Sequence, residues 1–251
     1  MAPRVSILGV PVDSVTIAEA EAILRALAQS GIGHHVMTPN PEMIVAAQKK
    51  PDFLQVLRKS SLNVPDGAGL LFAARFLGTP LRERVTGTDL VERIAGSSEM
   101  QPVFFLGAGE GIAERAAAAI ASRHPSLVVA GTFSGSPRPE DEDEIVAKIH
   151  SSNARTLLVA YGAPSQDLWI DRVLTRLPSV RVAMGVGGAF DFLAGVRTRA
   201  PLWMRSIGIE WLWRLLQEPS RIGRIFTAVI VFPFLVLTRR PPSPRAGTRT
   251  A

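Results

Sequence analysis

One acidic residue stands where its type and its neighbours favour chemistry. Asp66 lies in a Pro65-Asp66-Gly67 turn, which is followed by an apolar helical run from Leu70 to Leu77. Proline fixes φ and glycine accepts backbone angles that other residues avoid, so this turn would aim a carboxylate outward from a rigid base. A carboxylate held in this way can act as a general base, although such a turn can also be only a turn.

Several polar or glycine positions share this placement just after a predicted strand. Strand-like and helix-like hydrophobic periods alternate along the chain, which predicts a Rossmann-like α/β fold with a mainly parallel sheet and helices on both faces. In such sheets ligands bind beyond the carboxyl ends of the strands. The positions concerned are Asn40, Asp66, Gly107, Gln166 and Asp191. The sequence therefore predicts one shared cleft.

The elements that must position these residues can be placed from the same periodicity. Strands are predicted at 5–10, 34–38, 62–64, 103–106, 127–130, 156–161 and 180–186. Helices are predicted to start after Asp13 or Ser14 as the cap, and at 42–49, 52–59, 112–123 and 140–150. We expect an α/β domain over residues 1–195, a basic helical appendage over 196–238 and a disordered tail over 239–251.

A glycine-rich segment, Gly107-Ala108-Gly109-Glu110-Gly111, joins one predicted strand to a strong helix. Backbone N–H groups and a helix N-terminus could approach a phosphate there. Close packing of the strand on the helix would explain the same glycines. The segment keeps open a Rossmann-type nucleotide-dependent oxidoreductase, but it lacks the full dinucleotide pattern and a clear acid about 20 residues further on.

Composition limits the function and suggests an anionic partner. The chain has no cysteine, which excludes disulfides, a thiol nucleophile and cysteine-based metal sites, and fits a cytoplasmic protein. From Val196 onward ten arginines face two acidic residues, so this part carries +8 and the remainder −2 of the net +6. A basic end on a slightly acidic body suggests phosphate, anionic lipid or nucleic acid on one side.

The appendage has the composition of a helix in a lipid interface, where tryptophan and arginine stand beside aliphatic residues. Its most apolar run, Ile225 to Leu237, is interrupted by Pro233 and is shorter than the ~20 residues of a spanning helix. The N-terminus is too quickly broken for a signal peptide. We therefore expect a cytoplasmic protein, peripheral on the inner face of the plasma membrane. A helix that packs on the body with a solvated arginine face is the alternative.

Six ordered motifs resemble the WecG/TagA/CpsF family of glycosyltransferases over nearly the whole chain. They are T-P-N-P-E (38–42), P-D-G-x-G (65–69), R-V-T-G-x-D-L (84–90), G-A-P-x-Q-[DE]-x-W (162–169), G-V-G-G-A-F-D-F-L-A-G (185–195) and the Arg/Trp-rich segment 199–224. Family members often carry Lys-Gln-Glu where this chain has Ser165-Gln166-Asp167. That departure leaves the donor sugar open.

The resemblance implies a membrane-associated, inverting transferase that needs neither a metal nor a cofactor. Its donor would be a UDP-sugar of the N-acetylmannosamine type, or a related hexose or uronic acid, and its acceptor a polyprenyl-diphosphate-linked sugar of cell-surface polysaccharide synthesis. By resemblance Asp66 is the general base, and Thr38 and Asn40 assist it. The residues implied to bind the donor are Arg84, Gly107, Gly109, Gln166, Asp191, Arg214, Arg221 and Arg224. A homo-oligomer is left open.

Two other aspartates rival Asp66 as the base. Asp89 more readily caps a helix from Leu90, and Asp191 either binds ribose or base or caps a helix from Phe192. The remaining functional alternative is a non-enzymatic protein that binds anionic lipid through its basic appendage. Interleaved tryptophan and aliphatic residues favour lipid over nucleic acid as that partner.

Overall fold

The computed structural model describes residues 3–239, apart from the side chain of Ser206. Most of the predicted disordered tail, residues 240–251, therefore lies outside the described residues. The strands are β1 (Arg4–Ile7), β2 (Val10–Asp13), β3 (His34–Met37), β4 (Leu62–Asn63), β5 (Val103–Gly107), β6 (Val129–Phe133), β7 (Thr156–Ala160) and β8 (Val182–Gly185). The helices of the α/β domain are α1 (Ile17–Gln29), α2 (Pro41–Ala47), α3 (Pro51–Lys59), α4 (Ala68–Phe76), α5 (Gly87–Ala95), α6 (Ile112–Arg123), α7 (Glu142–Ser151), α8 (Ser165–Val173) and α9 (Ala189–Leu193).

The predicted Rossmann-like α/β architecture is confirmed. Six parallel strands form one sheet in the order β4-β3-β8-β7-β5-β6. Every residue of β5, β7 and β8 is buried, as expected for parallel strands covered on both faces. Helices α1, α5, α6 and α9 pack on one face, and α7 and α8 pack on the other. This sheet brings the segments after β3 and β4 to one end of its carboxyl edge.

The predicted first strand at 5–10 is present, but as β1 it ends at Ile7. β1 and β2 form an antiparallel hairpin outside the main sheet, with a turn in which Leu8 and Gly9 have φ of 50° and 80°. Asp13 does not cap α1, because its carboxylate is buried and accepts from Arg4 at 2.8 Å and from the Asn63 amide at 2.7 Å. Thr16 caps the helix instead, in a capping box with Glu19.

The appendage is helical, as predicted, and consists of α10 (Leu202–Ser206), α11 (Glu210–Gln217), α12 (Ile222–Phe226) and α13 (Phe232–Thr238). A π-helical turn at Thr227–Val231 joins the last two helices. The prediction that Pro233 interrupts the apolar run is therefore wrong. The widened turn before the proline takes up the distortion that its ring imposes on a helix. We call the resulting stretch, Pro219–Thr238, the terminal helix.

The terminal helix has 20 residues and a mean hydropathy of 1.8, so by length and composition it could cross a membrane. It packs one face on α2 and α4, and Phe232 and Val236 are buried in the core cluster there. The opposite face carries exposed apolar side chains. Only 17% of its most apolar window is buried. The terminal helix is thus anchored on the α/β domain and open along its outer side.

Candidate functional site

A single cleft of about 480 Å³ lies between the carboxyl edge of the sheet and the appendage. Its inner end is polar, and its outer end is apolar and lies between α4 and the terminal helix. The polar and charged lining residues are Asn40, Glu42, Asp66, Arg84, Thr86, Thr88, Arg199, Glu210, Arg214, Arg221 and Arg224. The predicted base and the five predicted arginine or asparagine positions thus meet in one place, contributed by both parts of the chain.

The Asp66 turn is fixed by backbone hydrogen bonds to the neighbouring loops. The Asp66 amide donates to the Pro39 carbonyl at 2.9 Å, and the Val85 amide donates to the Pro65 carbonyl at 2.9 Å. Gly67 has a φ of +112°, which side-chain-bearing residues rarely adopt. The turn therefore holds its carboxylate half-buried at the wall of the cleft, as its sequence predicts.

Burial raises the pKa of Asp66 from 3.8 to about 6. The charges of Arg214 and Arg84 oppose this shift, and those of Glu210 and Asp89 add to it. Among the side chains and backbone groups that the structure describes, none donates a hydrogen bond to this carboxylate. A carboxylate with such a pKa is ionised at neutral pH and is a stronger proton acceptor than an ordinary aspartate.

The acid limb of the pH–rate profile is expected to follow Asp66, with an apparent pKa near 6. Glu210→Gln removes a charge that raises the pKa of Asp66, so the limb should move to lower pH. Arg84→Gln removes a charge that lowers it, so the limb should move to higher pH. Measuring kcat/KM from about pH 4 to 9 for the three proteins tests this, and shifts in one common direction would contradict it.

Arginines surround the inner end of the cleft. Arg221 and Arg197 share the carboxylate of Glu218, and Arg224 pairs with Glu42 at 2.6 Å. Burial and the nearby charges of Arg224 and Arg214 lower the pKa of Arg221. Positive charge is therefore in excess here, as at sites that bind diphosphates.

Arg214 differs from the other arginines of the cleft. Its guanidinium lies 4.9 Å from the centre of the Phe192 ring. No ion pair joins it to a carboxylate in the described part of the chain. Because it is also the positive charge that acts most strongly on Asp66, it is the cation best placed to meet an anionic substrate beside the base.

Ion pairs hold the appendage over the cleft, among them Arg84–Glu210 at 3.0 Å, Asp89–Arg199 at 2.8 Å and Glu42–Arg224 at 2.6 Å. A close backbone contact adds to them, because a Cβ on Gly208 would lie 2.7 Å from the Cβ of Ala68. The wall formed by the appendage is thus built against the same segments that carry Asp66.

The rival bases are placed differently. Asp89 does not cap α5, because Thr86 is the cap residue and Asp89 lies in the first turn. Burial opposes ionisation, but hydrogen bonds from Arg199 and Thr86 prevail and lower the pKa of Asp89. Asp191 lies outside the cleft, and α9 begins before it, so the predicted cap at Asp191 is wrong. Its backbone carbonyl accepts the amides of residues 196 and 197, and its carboxylate is 3.6 Å from Arg197.

Of the two residues expected to assist the base, only Asn40 lines the cleft. Its Oδ1 atom caps α2 by accepting the Met43 amide at 3.0 Å, and the Nδ2 donors are not used in that cap. Thr38 is buried at the end of β3, where its side chain packs close to Gly87. Asn40 can therefore meet a substrate, whereas Thr38 supports the loop beneath the site.

Gly107 and Gly109, predicted to bind the donor, do not line the cleft. Gly107 ends β5, which is three places from β3 in the sheet, a distance of about 14 Å at the spacing of neighbouring strands. A Cβ on Gly107 would lie 2.9 Å from the backbone of Ala160. Close packing of β5 on β7 thus accounts for this glycine.

Gln166, predicted to line the cleft, is 3% exposed and lies outside it. Its Oε1 atom accepts the amides of Gly162 and Gly187, both at 3.0 Å. It therefore fastens the loop after β7 to the loop after β8. Ser165, where the family motif often has lysine, is exposed and also outside the cleft.

Gln166→Ala is expected to destabilise the fold by about 2–4 kcal/mol, because two backbone donors lose their acceptor. The decrease in the free energy of unfolding is measured by chemical denaturation at a pH where Asp66 is ionised in both proteins, so that its titration does not contribute. Gln48→Ala is a control, since the Gln48 side chain also makes two hydrogen bonds to the backbone, but as a donor to carbonyls and at a more open position. Equal losses of unfolding free energy in the two variants would contradict the role of Gln166 in linking the two loops.

Sequence reasoning missed the acidic and apolar partners of the cleft. Glu210 lies 126 positions from Arg84, and Glu42 lies 182 positions from Arg224. Phe72 and Phe76 were predicted only as part of an apolar helical run, and not as a wall of the cleft. A signal existed for these two, since they are four residues apart and share a helix face.

The fold and the cleft define the class of protein. A carboxylate of raised pKa beside arginines, at the carboxyl edge of a parallel sheet, is typical of an enzyme that acts on a phosphate-bearing substrate. The chain belongs to the glycosyl transferase WecG/TagA/CpsF family, whose model matches residues 5–246. It is a glycosyltransferase.

Named relatives agree with this assignment. The chain is 34% identical over 226 residues to an N-acetylglucosaminyldiphosphoundecaprenol N-acetyl-beta-D-mannosaminyltransferase of Staphylococcus aureus (strain MRSA252), covering 88% of each chain. It is 31% identical over 198 residues to a protein of the same name from Bacillus subtilis (strain 168), covering 78% of this chain and 76% of that one.

Proposed function

We propose that the protein transfers a sugar of the N-acetylmannosamine type, from a UDP-sugar, to a polyprenyl-diphosphate-linked N-acetylglucosamine, with Asp66 as the general base. The observation that carries the proposal is the meeting of Asp66, Arg214 and Arg84 in one cleft. The names of the relatives support the acceptor and the transferred sugar. The resemblance to the family supports UDP as the carrier.

The proposed reaction is a single displacement. The acceptor hydroxyl oxygen forms a bond to the anomeric carbon while Asp66 takes the hydroxyl proton. The bond from that carbon to the UDP oxygen breaks, and its electron pair leaves with UDP. Inversion follows because the two oxygens lie on opposite faces of the sugar. General base catalysis of this kind contributes about 10²–10⁴-fold.

The leaving UDP gains negative charge as the bond breaks, and fixed positive charge near it lowers the barrier. Arg214 is suited to this task, because its guanidinium group matches diphosphate oxygens and lies near enough to Asp66 to lower the pKa of that carboxyl. Metal independence stays a prediction. Assays with and without a chelator would test it. The homo-oligomer likewise stays open.

The proposed location is the inner face of the plasma membrane, with the terminal helix lying in the interface. The helix turns an outer stripe to solvent, with exposed fractions of 65%, 56%, 53% and 61% for Ile222, Phe226, Ile230 and Phe234. These positions are four apart, so they form one face, and arginines flank them. Because Phe232 and Val236 are buried on the α/β domain, lying along the membrane fits this helix better than crossing it.

The triple variant Phe226→Gln/Ile230→Gln/Phe234→Gln is expected to lower partitioning onto anionic vesicles by about 100-fold or more, because it removes the apolar surface that would enter the lipid. Sedimentation with vesicles at increasing salt measures this. Ile32→Gln, which changes an equally exposed residue elsewhere, is the control. Unchanged partitioning of the triple variant would overturn the interface assignment.

The reaction is tested with a panel of UDP-sugars and an undecaprenyl-diphosphate-N-acetylglucosamine acceptor. Transfer from UDP-N-acetylmannosamine alone, with inverted configuration, is the expected result. Transfer from another donor would replace the sugar but keep the reaction. No transfer together with binding of NADH in titration would favour the oxidoreductase alternative that the glycine segment raised.

A further inference from the structure

The outer part of the cleft is an apolar groove that continues from the catalytic end without a break. It is lined by Phe72 and Phe76 of α4 and by Ile225, Val229, Phe232 and Leu237 of the terminal helix. On α4 the two phenylalanines are one turn apart, and on the terminal helix the lining residues recur at three- and four-residue intervals. Two helical stripes therefore face each other across the groove.

The floor of the groove is shaped by small residues rather than filled by large ones. A Cβ on Gly69 would lie 2.9 Å from Pro41 and 3.8 Å from the Phe232 ring, so glycine lets α4, α2 and the terminal helix approach closely. Above this floor the walls stay open, with Phe72 69% and Leu237 57% exposed. Large apolar side chains left open to water beside a catalytic cleft mark a ligand site.

The change from charge to hydrocarbon along the cleft is abrupt. Arg221 precedes Ile225 by one turn of the same helix, so cationic lining gives way to apolar lining within about 6 Å. From Ile225 to Leu237 the helix advances by about 18 Å. A ligand that fits both parts must carry an anionic group followed directly by a long apolar chain.

We infer that this groove binds the first isoprene units of the acceptor's polyprenyl chain, and that Phe72 and Val229 set its preference for chain length. The inference rests on the proposed function, because the acceptor sugar must reach Asp66 while the acceptor's own diphosphate meets Arg221 and Arg224. The polyprenyl chain then starts at the apolar end. The groove thus recognises the acceptor itself, apart from any contact of the outer stripe with a membrane.

The test uses soluble acceptors that differ only in the number of isoprene units, below the concentration at which they aggregate and without membrane or detergent. For the wild-type protein KM should fall about tenfold for each added unit until the groove is filled, as expected if each unit buries the area of one or two methylene groups. Phe72→Gln and Val229→Ser should raise KM for the long acceptor about tenfold and change it less than about twofold for the shortest.

Matched controls stand on the same helix. Phe226→Gln makes the same change as Phe72→Gln, and Ile230→Ser makes a change similar to Val229→Ser, both at exposed positions that do not line the cleft. Because the assay contains no membrane, both controls should leave the two values of KM unchanged. A KM independent of chain length in the wild-type protein would overturn the inference. Equal effects of the groove variants and their controls would overturn it as well.

A measurement of binding alone tests this inference independently of the proposed reaction. Calorimetric titration with polyprenyl diphosphates that carry no sugar measures the groove without any transfer. Chain-dependent binding that Phe72→Gln removes supports the groove even if no donor is used, in which case only the proposed reaction fails. Sugar transfer together with binding that does not depend on chain length would support the proposed reaction and overturn the groove inference.

Discussion

Asp66→Asn is expected to lower kcat by about 10²–10⁴-fold while making the protein more stable at neutral pH. The first effect follows because asparagine cannot take the acceptor proton. The second follows because the folded pKa of Asp66 is raised to about 6, so ionising this group costs free energy as the pH rises through 6. Removing the charge should recover about 1–2 kcal/mol after discounting for solvent at a half-buried side chain.

The two effects are measured on the same sample, by product formation under donor saturation and by urea denaturation at about pH 5 and 8. The stabilisation should be larger at the higher pH and vanish below the unfolded pKa. Asp191→Asn serves as the control, because that carboxylate lies outside the cleft and should cost little activity. Near-normal turnover of Asp66→Asn would remove Asp66 as the base.

Arg214→Ala is expected to lower kcat by about 10²–10³-fold, since in the proposed reaction it removes fixed positive charge beside the leaving diphosphate. It also removes the largest opposing influence on the pKa of Asp66, so the acid limb of the pH–rate profile should move to higher pH. A variant that merely loosens the fold would not shift that limb. The two readouts together therefore identify the electrostatic role.

Arg214→Lys is the matched variant. It keeps the charge but not the planar fork, so the acid limb should return close to its wild-type position while only part of kcat recovers. Arg172→Ala, on the exposed surface beside Glu142, controls for loss of an arginine elsewhere. An acid limb that stays fixed in Arg214→Ala would contradict direct interaction with Asp66.

The sequence predicted what depends on neighbours in the chain. The proline and glycine around Asp66 fix its turn locally, and the alternation of strands and helices fixes the class of fold. The ordered motifs identified the family. Asp66, Asn40, Arg84 and the three predicted arginines of the appendage do line one cleft. The roles assigned to them are what the variants above test.

What the sequence could not predict depends on strand order and on distant pairs. Gly107 and Asp66 both follow strands, but β5 and β4 are four places apart in the sheet, so the expectation of one shared cleft was wrong for the glycine segment. Gln166 follows a strand too, yet its side chain turns inward to bond two loops. Pairs such as Arg84–Glu210 leave no trace in local spacing.

The contacts that hold the appendage give its two ends different strengths. At α10 and α11 it is held by the partly buried ion pairs Arg84–Glu210 and Asp89–Arg199, whose attraction is offset in part by the cost of removing both charges from water. At the terminal helix it is held by Phe232, whose full burial contributes about 1.5–3 kcal/mol. We therefore expect the α11 end, which lines the cleft beside Asp66, to separate from the α/β domain before the terminal helix does. In the proposed reaction, this difference would let UDP leave at the α11 end while the terminal helix stays packed on α2 and α4.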